Sequence, residues 1–186
     1  MSFAISRSEL EAAFGPAHVA TVPAELLNPA VTHTATARFL AEVGVPDVSD
    51  FIYQTVDTVA SGLPDLRSER PDIYEIDDLP RTADSWVAMG FCYGDDAVIL
   101  DGSTGEVRVM VDGEEAPGFL NSSVDLFTLF ITAFFRDREY IEAKNLETRK
   151  KATDNLVVEL RAADSTAFAD PESYWYQIVE RILYGY

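Results

Sequence analysis

The middle of the chain has the hydrophobic pattern of a β-meander. Apolar residues dominate residues 86–93 and 97–101, and in residues 107–111 valines alternate with other side chains. Short turns rich in glycine and acidic residues separate these segments, and residues 118–120 could add an edge strand. Turns this short connect antiparallel strands, because a parallel crossover needs a dozen residues or more. The pattern therefore predicts an antiparallel meander sheet.

Helical spacing of apolar residues predicts helices before and after these strands in the chain. The expected helices lie at residues 7–14, 36–43, 124–135 and 147–163, and a last one starts at Asp170-Pro171-Glu172. Ser122 and Asp125 have the spacing of a capping box, and Pro171 would stand at the first position of the last helix. Short strands are expected at residues 18–22 and from residue 51. Strands followed by helices indicate an α+β fold, in which helices pack against the antiparallel meander sheet.

Length and composition predict one globular domain over residues 1–186. Of these residues 47% are hydrophobic and 25% are charged, which is typical of soluble globular proteins. The chain contains no internal repeat and no low-complexity linker. The residues expected in the core rather than in a contact surface are Trp86, Phe91, Leu100, Val109, Phe127, Phe130 and Trp175.

The charge balance restricts the class of partner. There are 32 acidic and 14 basic residues, so the net charge is −18. A protein with this excess of acid has no basic surface for nucleic acid, and anionic lipid heads repel it. Residues 69–115 hold 13 acids and 3 bases, a net charge of −10, whereas residues 136–186 have a net charge of −2. We therefore expect a cationic partner, namely a basic protein surface, a basic substrate or metal ions. The negative field lies on the sheet region and the loop before it, and not on the C-terminal helices.

The acidic side chains of the sheet region and of the loop before it are candidate contact residues. They are Asp72, Glu75, Asp77, Asp78, Asp84, Asp95, Asp96, Glu114 and Glu115. In the simpler interpretation, these charges only keep an acidic protein solvated. As a docking surface, they would raise association rates and select basic partners.

Candidate catalytic motifs all have simpler structural explanations. Tyr93-Gly94-Asp95-Asp96 resembles a polymerase palm motif, but that chemistry needs a third carboxylate and a basic surface for its substrates. Residues 101–106 lack the lysine of a phosphate-binding loop and the ligand spacing of an EF-hand. His18, His33 and Cys92 do not suffice for a zinc site or a hydrolase triad. We expect no enzyme, no metal and no cofactor, and a metal-dependent phosphoryl-transfer site at Asp95 and Asp96 stays as an alternative.

The sequence predicts a cytoplasmic protein. Its single cysteine, Cys92, excludes an intrachain disulfide and fits a reducing compartment. Glu9 and Glu11 stand where a signal peptide would have its apolar core. No apolar run approaches the roughly 18–20 residues that span a bilayer.

Several short segments, taken in order, carry a resemblance to a known family. They are Phe39-Leu40 through Gly44-Val45-Pro46, Trp86 with Met89-Gly90-Phe91, Val98-Ile99-Leu100-Asp101, Thr104-Gly105-Glu106-Val107, and Phe119 through Phe127. Their order and spacing resemble the SUKH superfamily, and most of all its fourth subgroup, which consists of bacterial immunity proteins. The resemblance covers a core of about residues 30–140, with C-terminal helices at about residues 147–184 as an extension of the SUKH-like domain.

The resemblance implies a non-enzymatic protein that binds and neutralises a cognate toxin of a polymorphic toxin system by stoichiometric occlusion. The toxin is often a nuclease, and a basic nuclease surface would suit this acidic chain. The superfamily also includes cellular regulatory and scaffold proteins, so a scaffold role is an alternative. The family has no catalytic residues to transfer, and its contact surfaces vary with the toxin. The acidic candidates named above therefore rest on electrostatics and not on the resemblance.

Overall fold

The strands form two antiparallel sheets. The structure, a computed structural model, describes residues 2–50, 52–57, 59–76, 79–111 and 113–185. The strands in this part are β1 (Val19–Ala20), β2 (Val45–Pro46), β3 (Tyr53–Thr55), β4 (Trp86–Cys92), β5 (Asp96–Asp101), β6 (Val107–Met110) and β7 (Gly118–Asn121). β1 pairs with β2, and the other strands form a meander in the order β3-β4-β5-β6-β7. The predicted antiparallel meander and the α+β class are confirmed.

Helices precede, interrupt and follow these strands. Over the described residues they are α1 (Arg7–Phe14), α2 (Thr34–Glu42), α3 (Leu66–Glu69), α4 (Val124–Arg136), α5 (Arg138–Ile141), α6 (Leu146–Ala163) and α7 (Tyr174–Tyr184). Short 3₁₀-helices lie at Pro16–His18, Val59–Ser61, Pro71–Glu75, Arg81–Ser85 and Thr166–Phe168. α1 begins with a capping box, in which Ser6 and Glu9 each bind the other's backbone amide. The predicted boundaries of α1 are confirmed.

The predicted capping box of α4 is wrong. Ser123, not Ser122, is the residue before the helix, and its side chain caps no backbone amide. The Ser122 hydroxyl instead donates to Asp164 at 2.8 Å. Asp125 accepts from the Ser123 hydroxyl and from the Ala4 amide. The side chains that look like a local cap therefore make contacts with other parts of the fold.

The predicted start of the last helix is also wrong. α7 begins at Tyr174, and the Asp170 carboxylate accepts from the Glu172 amide at 2.8 Å in a separate turn. Here the aspartate and the amide two residues ahead close a turn, and the backbone becomes helical only at Tyr174. Residues 170–172 therefore lie on the surface before α7.

One hydrophobic core extends from the N-terminal segment to α7. Trp175 of α7 is 1% exposed and packs against Phe134 and Phe130 of α4, each with ring centroids 5.3 Å apart. β5 is buried at every position, so both faces of the sheet centre are covered. Of the residues predicted in the core, Trp86, Leu100, Val109, Phe127, Phe130 and Trp175 are buried, whereas Phe91 is only partly buried.

The turn between β5 and β6 joins the sheet to α2. The Gly102 carbonyl accepts from the backbone amides of Thr32 and His33, at 2.8 and 2.9 Å. Gly105 has φ +85° and lies so close to His33 that a Cβ there would stand 2.4 Å from the ring Nδ1. Position 105 therefore requires glycine, because the positive φ disfavours other residues and because a side chain would collide with His33. The loop of residues 101–106 is thus a structural turn, which packs against His33, the residue just before α2.

Asp101 organises this turn and makes the stability depend on pH. Its carboxylate is buried and accepts from the hydroxyls of Ser103 and Ser85 and from the backbone amides of Ser103 and Thr104. Burial raises the pKa of Asp101, but hydrogen bonds from Ser103 and its neighbours outweigh burial. The pKa therefore lies below its ordinary value of 3.8.

We expect Asp101 to stabilise the fold above about pH 4 and to lose this contribution in stronger acid. A carboxyl whose pKa is lower in the folded state binds its proton more tightly when unfolded, so protonation favours unfolding. Urea unfolding of the wild type and of Asp101→Asn, from about pH 5 down to about pH 2.5, measures the difference. The stability gap between the two proteins should shrink as the pH falls. A gap that stays constant over this range would contradict the assignment.

Candidate functional site

Two loops that carry predicted contact residues lie at the same end of the five-stranded sheet. The β4–β5 turn carries Asp95, and the β6–β7 loop carries Glu114 and Glu115. All three residues are exposed. In a meander every second turn lies at the same end, so the two loops are two strand spacings apart, roughly 10 Å. We call Asp95, Glu114 and Glu115 the acidic end of the sheet.

Asp72 adjoins the acidic end through Arg70. The Arg70 guanidinium binds the Asp72 carboxylate at 2.7–3.2 Å, and it also donates to the Asp95 carbonyl oxygen at 3.5 Å. The hydrogen bonds from Arg70 hold the pKa of Asp72 below its usual value. Glu75, at the end of the same 3₁₀-helix, is exposed. Arg70 thus brings Asp72 beside Asp95 but neutralises part of its charge.

Other predicted contact residues do not join this surface. Asp84 lies two residues before β4, at the end of the sheet opposite to Asp95, because a seven-residue strand separates the two. Such a strand is roughly 20 Å long. The Asp84 carboxylate lies 3.5 Å from Arg67 and is otherwise open to solvent. Asp77 and Asp78 lie outside the described residues.

Asp96 faces the interior of the protein and not the acidic end. It is 7% exposed, and its Oδ2 accepts from the Tyr174 hydroxyl of α7 at 2.8 Å. Arg181 of α7 lies 3.9 Å from the same oxygen. Asp96 is the first residue of β5 and packs against α7, whereas Asp95 lies in the turn before the strand and is exposed. We therefore leave Asp96 out of the contact surface.

The interior around Asp96 keeps its neighbours protonated. Burial raises the pKa of Tyr174 strongly, and the negative charge of Asp96 adds to the effect. Burial also raises the pKa of the Cys92 thiol, at the end of β4. Tyr174 therefore remains a hydrogen-bond donor to Asp96, and the thiol of Cys92 is a poor nucleophile because little of it is ionised. This part of the motif at residues 93–96 joins the sheet to α7.

The described side chains form no cluster suited to a metal ion. No group of three or more His, Cys, Asp or Glu residues in this part of the chain could hold one. Asp95 is exposed on the turn, whereas Asp96 is bound to α7. Paired-metal chemistry needs carboxylates that converge on the same ions. The geometry therefore gives the phosphoryl-transfer alternative no support.

A groove of about 500 Å³ lies between the β6–β7 loop and the start of α7. Glu114 lines it from the loop, and Asp170 and Glu172 line it from the segment before α7. We call this the acidic groove. The sequence did not indicate Asp170 and Glu172 as contact residues, because they read as the start of a helix. The negative surface predicted for the sheet thus extends to the segment before α7.

A comparison with known families decides the class of protein. A family model described as SUKH-4 immunity protein matches residues 5–181. The chain belongs to the SUKH-4 immunity protein family. The match confirms the resemblance and extends it beyond residues 30–140, since it includes α1 and most of α7. No curated protein and no solved structure matches the chain.

Both acidic surfaces of this SUKH-4 immunity protein lie within the matched residues. The acidic end includes Asp95 and Glu114, and the acidic groove adds Asp170 and Glu172. Within the described ranges, no helix is long and apolar enough to cross a membrane. Family membership supports an immunity role.

Proposed function

We propose that the chain neutralises a cognate protein toxin by binding it one to one and covering its active-site region, with no catalysis of its own. Membership of the SUKH-4 immunity protein family supports this role. It would act in the cytoplasm as a single domain, without a cofactor and without direct contact to nucleic acid or membrane. The observation that carries the choice of surface is the exposure of Asp95, Glu114 and Glu115 at one end of the sheet.

The chemistry of the surface favours a basic toxin, and a nuclease in particular. A nuclease must attract phosphate groups, and it does so with lysine and arginine around its active site. The acidic end presents the opposite charge, on a chain with a net charge of −18. Complementary charge accelerates encounter and directs the partner toward one orientation. An acidic protein seated there would exclude the nucleic acid from the nuclease.

Capture followed by growth rescue tests this function. The tagged chain would be used to capture proteins from the source cells, and each captured protein would be identified by mass. A captured protein that stops the growth of a bacterial host, and whose effect is abolished by co-expression of the chain, supports the immunity role. Capture of several housekeeping proteins with no toxic member would instead favour the regulatory or scaffold role.

Reversing the charge of the acidic end should weaken toxin binding with little effect on folding. We expect the variant Asp95→Lys/Glu114→Lys/Glu115→Lys to raise the Kd for the toxin roughly tenfold or more, mainly through slower association. These side chains are exposed, so the melting temperature should change little. Surface plasmon resonance at two salt concentrations measures both rates, and high salt should reduce the difference.

A matched control separates this local effect from that of total charge. The variant Glu25→Lys/Asp57→Lys/Glu139→Lys reverses three exposed acids outside the acidic end. It changes the net charge by the same amount and should leave the Kd close to that of the wild type. Equal weakening by both variants would assign the effect to net charge, and no weakening by either would remove electrostatics from the proposal.

A further inference from the structure

The acidic groove combines an apolar lining with an acidic rim. Apolar surface is contributed by Val109 of β6, by Val111 just after β6 and by Phe119 of β7. Phe119 is only partly buried, so part of its ring is available to a partner. Glu114, Asp170 and Glu172 are exposed and supply carboxylates at the rim. The described residues that line the groove include no lysine and no arginine.

The groove also contains a buried hydroxyl without a hydrogen-bond partner. Ser173 precedes α7 and lines the groove, and within the described protein its Oγ makes no hydrogen bond. Buried polar atoms in folded proteins are almost always hydrogen-bonded. The wall of the groove at the start of α7 therefore carries an unsatisfied polar group, which an ordinary acidic surface lacks.

We propose that the acidic groove seats an arginine side chain carried on a basic segment of the toxin. This inference rests on the proposed function and specifies the contact. The aliphatic part of the side chain would lie along the apolar lining, while the guanidinium would meet the carboxylates of Glu114, Asp170 and Glu172. Long cationic side chains commonly divide in this way between apolar surface and a charged group.

The shape and charge of the groove favour arginine over other occupants. A guanidinium binds carboxylates through two parallel hydrogen bonds and stacks on aromatic rings, whereas an ammonium group acts as a strongly hydrated point charge. Anions would be repelled by the three carboxylates, and a purely apolar segment would bury them without a partner. The volume of about 500 Å³ is within the range of pockets that hold small molecules, and an arginine side chain is smaller than most of these ligands.

A short peptide tests the groove without the toxin. The chain labelled with ¹⁵N would be titrated with acetyl-Gly-Arg-Gly-amide and, separately, with the same peptide in which neutral citrulline replaces arginine. We expect the arginine peptide to shift the amide signals of Val111, Gly118, Phe119 and Gln177, which line the groove. The citrulline peptide should shift them far less. Shifts distributed over the whole acidic surface would overturn the proposal.

Neutral variants then locate the contact in the complex with the toxin. Glu114→Gln/Asp170→Asn/Glu172→Gln should weaken both the peptide and the toxin roughly tenfold. The control Glu25→Gln/Asp57→Asn/Glu139→Gln, which also removes three exposed negative charges, should weaken neither. If the toxin binds the groove variant with an unchanged Kd, the groove proposal fails while the proposed function stands. Absence of a toxin that the chain neutralises would overturn the proposed function, whereas the peptide result would still decide whether the groove binds arginine.

Discussion

Replacing Asp96 by lysine should lower the free energy of unfolding by about 3–5 kcal/mol, whereas Asp95→Lys should change it by no more than about 0.5 kcal/mol. The two residues are adjacent, but Asp96 is buried against α7 and Asp95 is exposed. Lysine at position 96 removes the acceptor of the Tyr174 hydroxyl and places a second positive charge near Arg181. A buried charge that loses its partner is strongly destabilising.

Urea unfolding of the two lysine variants measures this difference directly. Asp96→Asn serves as an intermediate case, because an amide oxygen can still accept from Tyr174 while the negative charge near Arg181 is lost. We expect it to cost about 1–2 kcal/mol, because a hydrogen bond to a neutral acceptor is weaker than one to a charged acceptor by about that amount. Equal stabilities of Asp95→Lys and Asp96→Lys would show that Asp96 is not held in the interior. Binding experiments should therefore reverse Asp95 and leave Asp96 intact.

The contrast between Asp95 and Asp96 shows where sequence patterns stop being informative. A turn between two apolar strands is a local feature, so its glycine and aspartates predict the hairpin correctly. The inward direction of Asp96 depends on Tyr174, which lies 78 residues further along the chain. No local pattern reports that contact. Both aspartates therefore look alike in sequence and differ in the folded protein.

The smaller sheet was predicted only in part for a related reason. The strand at residues 18–22 was expected, and β1 lies within it, but its partner β2 contains Pro46, which normally argues against a strand. Pro46 pairs with Val19 in a sheet of only two strands. In a sheet of two strands, each strand has one edge that pairs with no other strand. A proline nitrogen that faces this edge removes no hydrogen bond between strands. The pairing forms because the chain returns to β1 after α2, and a local sequence pattern does not report this long-range contact.

The acidic groove required knowledge of long-range packing as well. Glu114 was a candidate because the sheet region is rich in acid, whereas Asp170 and Glu172 belong to a C-terminal region with a net charge of only −2. Asp170 and the Glu172 amide form a turn, and the helix begins only at Tyr174. The net charge of residues 136–186 is an average over many residues, so it hides the short acidic segment that contains Asp170 and Glu172. The charge pattern therefore predicted one side of the groove and missed the other.

Asp164→Ala should lower the free energy of unfolding by about 3–4 kcal/mol. The Asp164 carboxylate is 4% exposed and accepts from the Asn121 side chain at 3.2 Å. It also accepts from the backbone amide and the hydroxyl of Ser122, both at 2.8 Å. Removal of the carboxylate leaves these donors buried or partly buried without an acceptor, and each hydrogen bond to a charged group contributes about 1.5–3 kcal/mol. The bonds form one network, so their individual values do not add fully.

Asp154→Ala, within the helix α6 that precedes Asp164, is the control. Asp154 makes an exposed ion pair with Lys150 at 2.8 Å, and such pairs contribute about 0.5 kcal/mol or less. Chemical denaturation of both variants, with Asp164→Asn as the conservative change, gives the comparison. If Asp154→Ala and Asp164→Ala lower the free energy of unfolding by the same amount, the hydrogen bonds of Asp164 do not stabilise the connection between β7 and α4.

The position of Asp164 gives this experiment a second use. It follows α6 and binds the residues between β7 and α4, so it joins the C-terminal helices to the sheet. If residues 1–186 form one cooperative domain, Asp164→Ala should lower the hydrogen-exchange protection of the β5 amides as much as that of α6. Loss of protection confined to α6 and α7 would mean that the C-terminal helices unfold as a separate unit. In that case the acidic groove, which needs both β7 and the start of α7, would open whenever those helices detach.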